Sequence, residues 1–148
     1  MSLLITGQGR PNAIELEHAE LKPYVEVLVS ACHSPKRDQS EVQDQTESLA
    51  EAVQAHFALE ERGGYFADVV RMAPHLSTTA AELQAQHEPL LESLEALRAL
   101  ARTAVKSDAG WARLREEVAQ FADELLQHEA GERAMLQRAH GQDIGAGD

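Results

Sequence analysis

Apolar residues recur at helical spacing along most of the chain, and the recurrence comes in two matched halves. Ile14, Leu21, Val25 and Leu28 form a stripe that contains His18, and Leu83, Leu90, Leu94 and Leu97 form the same stripe around His87. A second pair follows: Leu49, Val53, His56 and Glu60 are answered by Phe121, Leu125, His128 and Glu132. Apolar positions three and four apart predict amphipathic helices. Each half therefore reads as a helix carrying a histidine, followed by a helix carrying His-x3-Glu.

Start and stop signals bound these helices. The first is expected from about Asn12 to Cys32, ended by Ser34-Pro35, because the residue before proline is pushed out of helical geometry. The second is expected to open at Ser40, with Gln43 completing a capping box, and to end at Gly63-Gly64. A short apolar segment from Tyr65 to Met72 stops at Ala73-Pro74. Thr79 and Glu82 predict the next cap, for a helix running through His87 to about Val105. Ser107, Asp108 and Gly110 mark the following turn, and the last helix is expected from Trp111 to Ala139. Short connections make successive helices antiparallel neighbours, so the expected fold is all-α, an up-down-up-down four-helix bundle. The expected division is an N-terminal arm at 1–11, one domain at 12–139 and a disordered tail at 140–148. Pro23 and Pro89 fall inside helices, each at a cost of roughly 3 kcal/mol in an isolated helix. Either ligand orientation or a packing bend accounts for them. Gly131, between His128 and Glu132, predicts a close approach by a neighbouring helix or a ligand.

Composition agrees with a helical domain. The 148 residues are 43% hydrophobic with few aromatics, rich in the strong helix formers Ala, Leu, Glu and Gln. A net charge of −12, with thirteen scattered Lys and Arg, disfavours nucleic acid, whose phosphates need clustered cations. No apolar run approaches the length of about twenty residues that spans a bilayer. The single cysteine, Cys32, fits a reducing compartment, and the expected location is cytoplasmic. Without a basic cluster beside it, Cys32 reads as an inert small hydrophobe.

The chemistry lies in the histidines and glutamates. Residues four apart on a helix share a face, so each His-x3-Glu aims an imidazole and a carboxylate into the core. A buried imidazole or carboxylate without a partner is costly. Convergence of His18, His56, His87 and His128 with Glu60 and Glu132 is explained by a shared metal. Imidazole with carboxylate suits iron, zinc, manganese or nickel, and the ligand types alone do not choose among them. His33 at a helix C-terminus, His75 in a connection and His140 near the end of the chain read as non-ligands. Glu61, Glu92 and Glu129 read as solvated faces. Glu124, one turn before His128, is a candidate acceptor for the outer N–H of that ring. Tyr24 and Tyr65 read as core residues. No nucleophilic triad or phosphate-binding loop is present.

The pattern H…HxxxE…H…HxxxE over about residues 12 to 138 resembles the hemerythrin-like (HHE cation-binding) family. The resemblance implies two iron ions joined through an oxo or hydroxo bridge inside the bundle. It assigns His18 and His56 to one iron, His87 and His128 to the other, and Glu60 and Glu132 as bridges between them. It also implies two departures from the oxygen carriers. Leu91 stands where they have a further histidine, and Arg133 stands where they have their last carboxylate, an Asp. The lost imidazole leaves the second iron an open position, which Leu91 is expected to face. Such a site suits redox chemistry or sensing better than oxygen storage.

The expected function is a di-iron protein that binds or responds to O2, NO or peroxide, or handles iron under stress; turnover of a substrate is left open. The alternative is a sensory or partner-binding helical module whose metal is mainly structural, and a metal-free bundle is the third reading. The residues name no protein partner, and a homodimer is compatible with them. Acid is expected to release the metal below the ordinary imidazole pKa of about 6.5.

Overall fold

The computed structural model describes the backbone of residues 13–103 and 107–147, and the side chains of residues 21–103 and 107–141. The proposed arm at 1–11 lies outside the described residues. The described chain is all-helical: α1 (Ala13–His33), α2 (Gln39–Arg62), α3 (Tyr65–Met72), a 3₁₀ turn (Pro74–Leu76), α4 (Ser77–Ala85), α5 (His87–Thr103) and α6 (Asp108–Gly147). None of these helices is long and apolar enough to cross a membrane.

Several ends differ from expectation, each for a local reason. The N-cap of α2 is Asp38, whose side chain accepts from the Glu41 backbone N–H, so the cap falls two residues before Ser40. Thr79 caps nothing, because the 3₁₀ turn begun by Pro74 runs into α4 at Ser77. Ser107 caps α6, its hydroxyl accepting from Gly110 N–H at 3.0 Å, and α6 continues past the expected stop at Ala139. Gly64 takes the left-handed conformation, φ 76°, that turns the chain from α2 into α3; glycine carries no Cβ penalty there.

The largest departure is the break between α4 and α5, where one continuous helix was expected. Pro89 has no N–H to give to the Ala85 carbonyl, so the ladder is interrupted. Gln86 becomes a turn and Pro89 sits in the first turn of α5, where a missing donor costs little. The backbone bonds flanking the break, Gln86 N to Leu83 O and Leu90 N to Gln86 O, are retained at 3.1 and 3.2 Å.

α1 packs against α2 and α6, and α5 packs against the same two helices. Their facing sides bury a large apolar cluster that includes Leu21, Leu28, Leu49, Val53, Phe57, Leu94, Leu114 and Leu125. Trp111 closes one end of it, its indole N–H donating to the Cys32 carbonyl at 2.9 Å. A smaller cluster of Tyr65, Phe66, Val69, Leu76, Leu83 and Met135 lies under α3, the 3₁₀ turn and α4. The two clusters meet the polar residues in a consistent order along each helix. On α6, Leu125 belongs to the large cluster and Met135 to the small one, with His128 and Glu132 between them. On α2, Phe57 precedes Glu60, and Tyr65 follows after the turn. The polar residues thus form a layer between two apolar bodies.

Candidate metal centre

His56, Glu60, His87, His128 and Glu132 are all buried, none more than 3% exposed. His18 lies on the α1 backbone, but its side chain falls outside the described residues. One ring nitrogen each from His87 and His128 and one oxygen each from Glu60 and Glu132 lie within 4.8 Å of one another, an arrangement that can hold a metal ion. The Nε2 nitrogens of His87 and His128 and both Glu60 oxygens make no aligned hydrogen bond, although Glu60 Oε1 stands only 2.9 Å from His87 Nε2. Imidazole nitrogens and carboxylate oxygens that converge this closely in the core suit a common cation.

The carboxylates are split between two sides. Glu60 turns Oε2 to His56 Nε2 at 3.0 Å and Oε1 to His87 Nε2 at 2.9 Å. Glu132 turns Oε1 to His56 at 3.8 Å and Oε2 to His128 and His87 at 3.1 and 3.8 Å. Each carboxylate therefore offers one oxygen to a His56 half and the other to a His87/His128 half.

Two outer contacts fix the ring orientations. His87 Nδ1 donates to Glu61 Oε2 at 2.8 Å, and His128 Nδ1 donates to Gln86 Oε1 at 2.7 Å. Both partners are acceptors, so Nδ1 keeps its proton when the ring is neutral, and Nε2 is the nitrogen that faces the centre. Glu61 was expected to be a solvated residue only; its side chain is half-exposed, yet one oxygen anchors His87. Glu124 does not reach His128 and accepts instead from Gln120 Nε2. Gln86 takes its place because the break before α5 turns that side chain toward α6, which the periodicity of a single long helix conceals.

Phe57 lies flat on His87, with ring centroids 3.9 Å apart and planes 3° from parallel. Tyr65 is buried and donates to the Glu132 main-chain carbonyl at 3.3 Å, and its own burial, with the nearby Glu132 and Glu60 carboxylates, raises its phenol pKa. Tyr24, expected in the core, is 39% exposed. Gly131 explains itself by contact: a Cβ there would stand 3.0 Å from Leu83 Cδ2, so its absence lets α4 close on α6 beside the site. Leu91, expected to face the second metal, packs half-buried against the large cluster. Its neighbour Leu90, with Leu83, Gln86, Ser93 and His128, lines a cavity of about 480 Å3.

Burial alone would lower the imidazole pKa values, but the Glu132 and Glu60 carboxylates outweigh it, holding His56 at about 10 and His87, aided by Glu61, at about 9. Burial pushes the Cys32 thiol up to about 11, consistent with an inert side chain. His33 donates from Nδ1 to the Val29 carbonyl at the end of α1. His75 and His140 are exposed. Glu129, expected to be solvated, is instead 2% exposed and reaches the His56 half. The equivalent residue in the first half is buried Phe57, so the repeat itself signals a core position at 129.

No family model, curated protein or solved structure matches the chain.

Proposed function

We propose that the chain is a hemerythrin-like protein in which α1, α2, α4 with α5, and α6 form an up-down-up-down bundle around two metal ions, most simply iron. Its role on this reading is to bind or respond to O2, NO or peroxide, or to handle iron under stress. The observation that carries the reading is the split of both glutamates, each with one oxygen toward His56 and one toward His87. A carboxylate that faces two ways is the form a bridge takes. The packing of α1 and α5 each against α2 and α6, with short connections, supports the bundle. A bound redox metal would supply Lewis acidity and electrons for a small ligand. The protein's own residues hold Nδ1 protonated, present Nε2 inward, and exclude bulk water with Phe57 and the two apolar clusters. The cavity at His128 gives a small ligand a route from the surface to the His87/His128 half.

The deciding experiment is anaerobic loading with ferrous iron, metal analysis, and visible spectra before and after addition of O2, NO or peroxide. Two ions per chain and a ligand-dependent band are expected. One ion per chain would refute the two-metal reading, and a spectrum blind to every ligand would refute the ligand-binding role. A structural metal is the second reading, favoured by donors that are all 3% exposed or less. It is supported if the spectrum ignores ligands while metal raises the melting temperature.

On this reading Gln86 is a positioning residue. Gln86→Ala is expected to weaken metal binding about 10- to 100-fold, as loss of outer-shell partners does, while Glu124→Ala leaves it unchanged. Competition against a chromophoric chelator measures both, with circular dichroism as the check on folding. Equal affinities for wild type and Gln86→Ala would remove Gln86 from the site.

A further inference from the structure

Three glutamates are buried among the described residues, and the repeat gives a role to only two, Glu60 and Glu132. The third, Glu129, has Oε2 3.9 Å from His56 Nε2. It comes directly after His128 in the chain, yet faces the half of the centre that His128 does not contact. Helix geometry accounts for this. At about 100° per residue, the side chain four after a histidine lies about 40° around the helix and the one immediately after it lies about 100° around. On α6, Glu132 therefore lies between His128 on one side and Glu129 on the other. That placement lets Glu132 address both halves while His128 serves one and Glu129 the other. On α2 the same order holds for His56, Glu60 and Phe57, and Phe57 stacks on His87 of the opposite half. The equivalent position thus puts a phenyl ring against one half and a carboxylate against the other.

We propose that Glu129 is a metal ligand specific to the His56 half, making the two halves of the centre chemically unequal. This rests on the two-metal reading above. With Glu129 the His56 half has carboxylate oxygens from Glu60, Glu129 and Glu132 beside the His56 imidazole, an oxygen-rich donor set suited to ions such as Mn(II) and Fe(II). The His87/His128 half has the same two bridging carboxylates, two imidazoles and the apolar Phe57 face. A third buried carboxylate also brings two divalent ions closer to charge balance among donors that are 3% exposed or less.

The test is titration of the metal-free full chain with Mn(II), counting bound ions by equilibrium dialysis and by the loss of the free Mn(II) paramagnetic signal. Wild type is expected to bind two ions. Glu129→Gln, similar in size and uncharged, is expected to keep one and bind the other at least tenfold more weakly. His87→Ala should retain the His56-half ion, and adding Glu129→Gln to it should weaken that ion at least tenfold. His56→Ala should retain the other ion, and adding Glu129→Gln there should change nothing. Glu129→Asp keeps the charge on a shorter arm and is expected to weaken the same ion by less, which serves if the glutamine variant does not fold. Two ions with wild-type affinity in both Glu129 variants would overturn the assignment while leaving the two-metal reading intact. Fewer than two ions in wild type would overturn that reading, and this inference with it.

Discussion

Glu132→Ala is expected to hold at least one metal ion fewer per chain than wild type and to lose about 3 to 5 kcal/mol of the loaded protein's stability, the usual cost of stranding buried charge. Glu132 serves both halves, one oxygen toward His56 and the other toward His128 and His87, so its removal strips an anion from each. Glu60→Ala should behave alike, since its oxygens divide between His56 and His87. His75→Ala, whose side chain is exposed on the 3₁₀ turn, should match wild type. Metal analysis after loading and chemical denaturation of each variant give the answer. Unchanged metal content in both glutamate variants would refute the bridging roles.

The second large effect is a stability profile that reverses with metal. In the metal-free protein His56 and His87 titrate at about 10 and about 9, above the value of about 6.5 for an unfolded histidine. A folded pKa above the unfolded one means that protonation stabilises the fold. That stabilisation is complete below about pH 6.5 and disappears as pH rises through the folded values, by up to about 1.4 kcal/mol per pH unit for each group. Metal needs neutral imidazoles, so loading releases protons and apparent affinity climbs over the same window. Sequence alone sets the contest between proton and metal near pH 6.5; the buried carboxylates move it upward. Urea midpoints from pH 6 to 10, with and without metal, should fall for the metal-free protein and hold or rise for the loaded one. A flat metal-free profile would show that the imidazolium–carboxylate pairs do not contribute.

The elements that the sequence makes legible are those governed by local rules. α3 runs from Tyr65 to Met72 as its flanking glycines and Ala73-Pro74 dictate, and the apolar period marks the inward faces of α2, α5 and α6. Five of the six expected ligands are buried together for the same reason, since His-x3-Glu spacing and core-facing periodicity coincide. What escaped depends on which helices meet. Glu61 looks solvated on its own helix and becomes a ring anchor only because α5 places His87 Nδ1 beside it. Gln86 belongs to no apolar stripe and matters only because Pro89 breaks the helix there. Glu129 could have been found by comparing the halves, since its counterpart Phe57 is plainly a core residue, whereas a charged side chain next to a stripe suggests solvent.

The polar layer has a further consequence for how the protein gains and loses its metal. It is covered on one side by the large apolar body spanning the four long helices and on the other by the small cluster under α3, the 3₁₀ turn and α4. Burying less surface, the small cluster should detach at lower free energy than the whole fold, as a separately opening unit. Exchange of the amide hydrogens of 65–85 would then run ahead of those in α2 and α6, and metal would enter and leave through that partial opening. Retention time would be set by the packing of Leu76, Leu83 and Met135, residues that touch no metal. Trimming Leu83 to alanine should therefore speed metal release to a chelator while leaving every donor atom in place.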